Sequence, residues 1–315
     1  MAKAFIFPGQ GSQAVGMGKA LADNFPVAKQ VFVEVDDALG EKLSAIMWDG
    51  PKETLTLTQN AQPALMAVSV AVCRVLEAEH GIKVDGTANF VAGHSLGEYS
   101  ALAAAGTFAV TDAARLLRAR GVAMQEAVPV GEGAMAALLG VGLDVAQRVA
   151  EEAAQGDVCQ IANDNDPTQV VLSGAKAAID RVPEIGKAHG VRRAMPLPVS
   201  APFHCALMQP AADVMASELA KVEMQAPVVP LVANVTAQPT REIDEIRNQL
   251  VAQVTATVRW RESVETMIAQ GVDTFYEVGV GKVLSGLVGR IDRSCKATAV
   301  GSPEDIAAVV SELSS

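Results

Sequence analysis

Residues 93–97 read Gly93-His94-Ser95-Leu96-Gly97, a G-x-S-x-G pentapeptide between an apolar run with strand character and an alanine-rich run with helix character. A serine on a tight strand-to-helix turn projects its hydroxyl off the sheet edge. Glycines two residues to either side remove Cβ atoms that would otherwise collide. A helix starting at Leu96 adds unpaired backbone N–H groups and the positive end of its dipole, both suited to holding an oxyanion. The pentapeptide alone is weak in a chain with 26 glycines. Its position between strand and helix makes Ser95 the candidate nucleophile of an α/β fold.

The composition agrees with that class. Half of the 315 residues are apolar but only 4% are aromatic, which suits close helix-on-sheet packing in one large unit and a smaller one. No run reaches about 18 uninterrupted apolar residues, so no membrane span is expected. MAKAFIFPGQ passes into strand and loop rather than a signal-peptide pattern, and a cytoplasmic location is expected. Cys73, Cys159, Cys205 and Cys295 are scattered with no C-x-x-C pair, so neither a metal site nor a disulfide framework is expected. A net charge of −11 argues against nucleic acid and anionic membranes as partners. An acidic or phosphate-bearing partner would need a local basic patch. Lys187, Arg192 and Arg193 form one candidate and Lys282, Arg290 and Arg293 another, with ordinary solvated charge as the alternative for each.

Along the chain, a strand from Lys3 to Phe7 ends at Pro8-Gly9-Gln10-Gly11, with a helical pattern to about Phe25. Gly9-x-Gly11-x-x-Ala14 resembles half of a dinucleotide fingerprint. Its acidic partner would be Asp36, which instead lies on a helical pattern (Val31, Phe32, Val35, Ala38, Leu39) behind Pro26, so no nucleotide cofactor is expected. A long apolar helix runs from Gln62, with Pro63 near its first turn, to about Glu79, and an amphipathic helix follows the elbow from Asp112 to Glu126. Between Ala134 and Leu197 the order is β-α-β-β-α-β, the ferredoxin-like arrangement, with Pro183 implying a kink or break in its second helix. The expected division is a large α/β unit of residues 1–127 and 199–315 and a small unit of residues 128–198. In the returning part, a strand is expected over Val228–Asn234. Gly279-Val280-Gly281-Lys282 lacks phosphate-loop spacing and reads as a turn.

A serine hydroxyl needs a base, and the chain has four histidines. His80 and His189 stand before glycines at helix C-termini, where a cation caps the dipole. His94 adjoins Ser95, and neighbouring side chains on an extended segment point to opposite faces. His204, in the non-periodic stretch Ala201-Pro202-Phe203-His204, is therefore the candidate base. No residue between 95 and 204 presents an obvious triad carboxylate, so a neutral carbonyl is expected to orient the imidazole. Arg120 lies on the apolar face written by Leu116, Leu117 and Met124, while Arg115 and Arg118 flank it. A buried guanidinium needs an anion: an internal carboxylate, or a substrate carboxylate if this helix borders the cleft.

Together, Phe7-Pro8-Gly9-Gln10-Gly11-Ser12-Gln13, Gly93 to Tyr99, Arg118-Ala119-Arg120-Gly121, Ala201 to His204, Gln62-Pro63 and Tyr276 to Gly279 resemble the malonyl-CoA:acyl carrier protein transacylases over nearly the whole chain. The resemblance implies an α/β-hydrolase-like core with a ferredoxin-like insert and a cleft between them. It also implies malonyl transfer from coenzyme A to the phosphopantetheine thiol of acyl carrier protein for fatty acid synthesis, through an ester on Ser95. His204 then matches the general base and Arg120 the partner of the malonyl carboxylate. Gln10 and Leu96 match the oxyanion-hole N–H donors, and Gln253 supplies the main-chain carbonyl that holds the histidine. Gln62 and Asn163 are expected to line the acyl pocket, and Phe203 to narrow the space near the malonyl α-carbon. No bound cofactor is implied, and a monomer is the default. A serine hydrolase such as a thioesterase is the rival enzyme, and an acyl-carrier binding module the rival without catalysis.

Overall fold

The computed structural model describes residues 2–199 and 201–314. Its strands are β1 (Ala2–Phe7), β2 (Phe90–Gly93), β3 (Gly133–Leu139), β4 (Cys159–Asp166), β5 (Gln169–Ala175), β6 (Arg193–Pro196), β7 (Leu231–Val232), β8 (Pro239–Thr240), β9 (Val272–Val278) and β10 (Lys296–Val300). The main sheet has the order β10-β9-β1-β2-β7-β8 and is parallel except for the edge strand β8. β1 is apolar on both faces because helices cover both. Phe5 and Phe7 enter the core around the Thr58–His80 helix, while Ala4 and Ile6 pack with Trp260, Val264, Leu287 and Val288 on the other side.

The Thr58–His80 helix is long and apolar enough to cross a membrane, yet 78% of its most apolar window is buried inside the fold. Its apolarity serves the core. It begins four residues earlier than the Gln-Pro pair suggests, so Pro63 lies inside it.

The second sheet has the order β4-β5-β3-β6 and is antiparallel throughout. Helices Leu143–Ala154 and Lys176–Ala188 provide the α elements of the expected βαββαβ order. One face, with Ala136, Leu138, Val170 and Leu172, packs on these helices as a separate core. The opposite face, with Met135, Ala137 and Val171, joins the main core. The second helix is not broken at Pro183, which lies on its exposed side.

Residues 163–166 of β4 fasten this sheet to the helices Trp260–Ala269 and Val283–Ile291 and the loop before the first of them. Asn163 forms a parallel bridge with Val258, Asp164 pairs with Arg261 at 2.8 Å, and Asp166 pairs with Arg290 at 2.6 Å. Both carboxylates are buried. Two other expectations change. The helix after β1 starts only at Lys19, because Gly11, Gly16 and Gly18 have φ of 105°, 95° and 76°, which turn the chain instead of winding it. The strand expected over 228–234 contracts to Leu231–Val232, since Asn234 faces the elbow.

Candidate active site

The elbow turns between β2 and the Gly97–Ala104 helix, and Ser95 has φ 55° there. This left-handed conformation costs a non-glycine residue of order 1 kcal/mol or more and persists only where its surroundings enforce it. A Cβ on Gly93 would lie 1.9 Å from the Gly97 carbonyl carbon, and one on Gly97 would lie 2.2 Å from the Phe7 oxygen. The Ser95 N–H donates to Asn234 Oδ1 at 2.8 Å, and Asn234 Nδ2 donates to the Gly93 oxygen at 2.7 Å. One buried amide thus clamps both sides of the turn.

His204 is 4% exposed, also has positive φ (59°), and reaches Ser95 from the chain returning after β6. Its Nε2 is 2.8 Å from Ser95 Oγ, and its Nδ1 is 2.8 Å from the main-chain oxygen of Gln253. A carbonyl only accepts, so Nδ1 carries the proton and the Nε2 lone pair faces the serine hydroxyl. Burial, followed by the Arg120 charge, pushes the imidazole pKa down to about 3. The ring is neutral at pH 7 and able to accept a proton.

Arg120 is 1% exposed on the Val110–Glu126 helix. It has no carboxylate partner among the described residues. Its Nη1 donates to Gln62 Oε1 at 2.7 Å, and its Nη2 donates to Gln253 Oε1 at 2.8 Å and Ser95 Oγ at 3.2 Å. The guanidinium carbon stands 5.7 Å from the Tyr99 ring centroid. The internal ion pair, one of the two readings of the sequence, is therefore absent. A full charge held by neutral acceptors is placed to receive an anion. Gly121 allows this closeness, since a Cβ there would lie 2.5 Å from the Gln59 Cα.

These groups open into a cleft of about 820 Å³ between the two sheets, lined by Gln10, Gln62, Arg120, Asn163, Phe203 and His204, with Met124, Met135, Leu197 and Val199 among the apolar walls. Gln10 Oε1 accepts from Thr58 Oγ1 at 2.9 Å. The backbone N–H groups of Gln10 and Leu96 have no acceptor among the described residues. Seven of the nine site residues expected from the sequence line this cleft; of the other two, Leu96 follows Ser95 at the start of the Gly97–Ala104 helix and Gln253 bonds His204 through its main-chain oxygen.

The acyl transferase domain family matches residues 4–305. The malonyl CoA-acyl carrier protein transacylase of Escherichia coli O157:H7 is 49% identical over 307 residues, covering 98% of each chain. The chain belongs to the malonyl CoA-acyl carrier protein transacylase family. The crystal structure of an acyl-carrier-protein-S-malonyltransferase from Bartonella henselae superposes with a TM-score of 0.97 at 55% identity, covering all of both chains. A malonyl-transacylase in complex with its type II polyketide acyl-carrier protein superposes at 0.95 with 44% identity, over 99% of this chain and all of that one.

Within this transacylase framework, three site features are not legible in the sequence. Asn234 sits in a loop with no period to mark it. Glu98, one residue past the elbow pentapeptide, is buried and accepts from Gln253 Nε2 at 2.6 Å. The side chain of Gln253, expected only for its carbonyl, also donates to the Ser95 oxygen at 3.0 Å. Of the basic candidates, Arg290 is committed to Asp166. Among the described residues no group of three or more His, Cys, Asp or Glu is placed to hold a metal ion.

Proposed function

We propose that this chain transfers a malonyl group from malonyl-CoA to the phosphopantetheine thiol of acyl carrier protein through an ester on Ser95. The observation that carries this reading is the shared cleft of a Ser95–His204 pair and an Arg120 without a carboxylate partner among the described residues. A nucleophile and a buried cation side by side suit an acyl group that ends in a carboxylate.

In the first half-reaction Ser95 Oγ attacks the thioester carbonyl as His204 Nε2 takes its proton. The oxyanion that forms is held by the Gln10 and Leu96 N–H groups, worth about 10² to 10³ in rate for one such donor. Collapse breaks the C–S bond, and the proton on Nε2 passes to the departing coenzyme A sulfur. The second half-reaction reverses these roles. Nε2 takes the proton of the carrier thiol, its sulfur attacks the seryl ester, and Ser95 regains its proton. Arg120 pairs with the malonyl carboxylate in both halves. The Gln253 carbonyl keeps Nδ1 protonated throughout, the orienting role that an aspartate has in a triad.

The same reading covers the rest of the molecule. Residues 128–198 act as a small unit roofing the cleft, and residues 1–127 with 199–315 as the catalytic unit. Gln62 and Asn163 line the acyl pocket, and Phe203 limits branching at the α-carbon. No cofactor takes part, and the enzyme works as a cytoplasmic monomer. The test is to mix the enzyme with malonyl-CoA and holo acyl carrier protein and follow the carrier's mass. A carrier that gains one malonyl group supports transfer. Malonate released to water at the same rate without carrier would make the protein a hydrolase.

A further inference from the structure

Among the described residues, Glu98 is the one buried carboxylate beside the reacting groups that the mechanism above leaves unused. Its Oε2 accepts from Gln253 Nε2 at 2.6 Å and from the Asn234 N–H at 3.3 Å, while Oε1 is buried with no hydrogen-bond partner among the described residues. Gln253 Nε2 also faces the Ser95 oxygen and Asn234 Oδ1, so three acceptors surround it. Its Oε1 meets only a donor, Arg120 Nη2. The line therefore runs carboxylate, amide, guanidinium, with the amide between the two charges.

Resting on the proposed transfer of a carboxylate-bearing acyl group, we propose that Glu98 is the positioning residue for Arg120: its carboxylate fixes the Gln253 amide with oxygen toward the guanidinium and supplies Arg120's counter-charge at one remove. An ionised carboxylate can only accept, so it rejects the flipped amide. A carboxylate in direct contact would compete with the substrate for the guanidinium. One held behind an amide offsets the buried charge and leaves the guanidinium's cleft side open. A protonated Glu98 can also donate, which loosens its hold on the amide's orientation and removes the counter-charge behind Arg120.

Glu98 ionises in the working range, because burial raises its carboxyl to about 7 against the opposing pull of Gln253, Asn234 and Arg120. The charged and titratable groups facing it are Arg120, from the following helix, and Tyr99, from its own; His204 is linked to it through Gln253. Substrate carboxylates are ionised throughout this range. A change at His204 affects every acyl donor alike and cancels in a ratio of donors.

The experiment measures kcat/KM for seryl-ester formation with malonyl-CoA and with acetyl-CoA from pH 5.5 to 8.5. In the unmutated enzyme the malonyl-to-acetyl ratio is expected to rise about tenfold as pH passes through 7, and in Glu98→Gln to be low and flat. A ratio independent of pH in the unmutated enzyme overturns the proposal whether or not the variant folds. So does a variant in which both donors slow equally while the pH dependence survives, as a purely structural role would give. If neither donor acylates the unmutated enzyme, the function reading fails and this inference with it.

Discussion

His204 Nε2 lies 2.8 Å from Ser95 Oγ although 109 positions separate the two residues. Both have positive φ, so two segments in a conformation unfavourable to non-glycine residues meet at one hydrogen bond. The strain is held by Asn234 on one side and by the Gln253 carbonyl on the other.

In the proposed mechanism, replacing His204 with alanine removes the proton acceptor and leaves the Gln10 and Leu96 N–H donors in place. Ester formation from malonyl-CoA is expected to slow by about 10² to 10⁴, the usual contribution of a positioned base. Stopped-flow release of coenzyme A reads this directly, and a loss under tenfold would remove His204 from the mechanism.

Arg120→Ala is expected to lower kcat/KM for malonyl-CoA by about 10- to 100-fold, the range for a charge-assisted hydrogen bond, with a smaller effect on acetyl-CoA. Unchanged malonyl preference would contradict the clamp. The same variant carries a pH signature. The Arg120 charge lowers the His204 pKa, so its removal moves that pKa up. A base works when deprotonated, so the acidic limb of the acetyl-CoA rate should shift to higher pH in the variant.

Phe203 lines the cleft beside the base. Methylmalonyl-CoA is expected to react more slowly than malonyl-CoA, and Phe203→Ala to narrow the gap. Comparable rates for both esters in the unmutated enzyme would show that this ring does not guard the α-carbon.

Asn234→Ala leaves the Ser95 N–H and the Gly93 oxygen without their partner. Each buried unpaired group costs about 1–3 kcal/mol, so the variant should be less stable by several kcal/mol in denaturant titration. A loss within 0.5 kcal/mol, the range of an ordinary surface substitution, would show that the elbow does not depend on this clamp.

Glu98 also links stability to pH. Its folded pKa is raised, so its contribution is fully present below the unfolded value and is lost as pH rises through about 7. For a raised value of this size the loss is on the order of 3 kcal/mol. The unfolding free energy of Glu98→Gln should fall less than that of the unmutated chain between pH 5 and pH 8, and parallel curves would rule out this linkage.

Ser95 and Arg120 were legible because each breaks a local pattern: a serine between glycines at a strand-to-helix turn, and a guanidinium on an apolar helical face. His204 was reached by setting three other histidines aside, and the structure gives each of those a separate setting. His189 meets Glu152, His94 meets Asn165, and His80 lies in the last turn of its helix. The ferredoxin-like order followed from alternating periods. Asn234, Glu98 and the Gln253 amide were hidden because a polar side chain in a buried network answers to partners 19 to 158 positions away, which no local period records. The loop before Lys19 was misread as helix because positive φ, not residue hydrophobicity, decides its path.

The most direct measurement is the intact mass of the enzyme after brief exposure to malonyl-CoA, with peptide mapping of the product and Ser95→Ala alongside. The expected result is one malonyl group per chain, located on the peptide holding Ser95, absent from the variant and lost on adding holo acyl carrier protein. A malonyl group on any other residue, or one that the carrier cannot remove, would contradict transfer through Ser95.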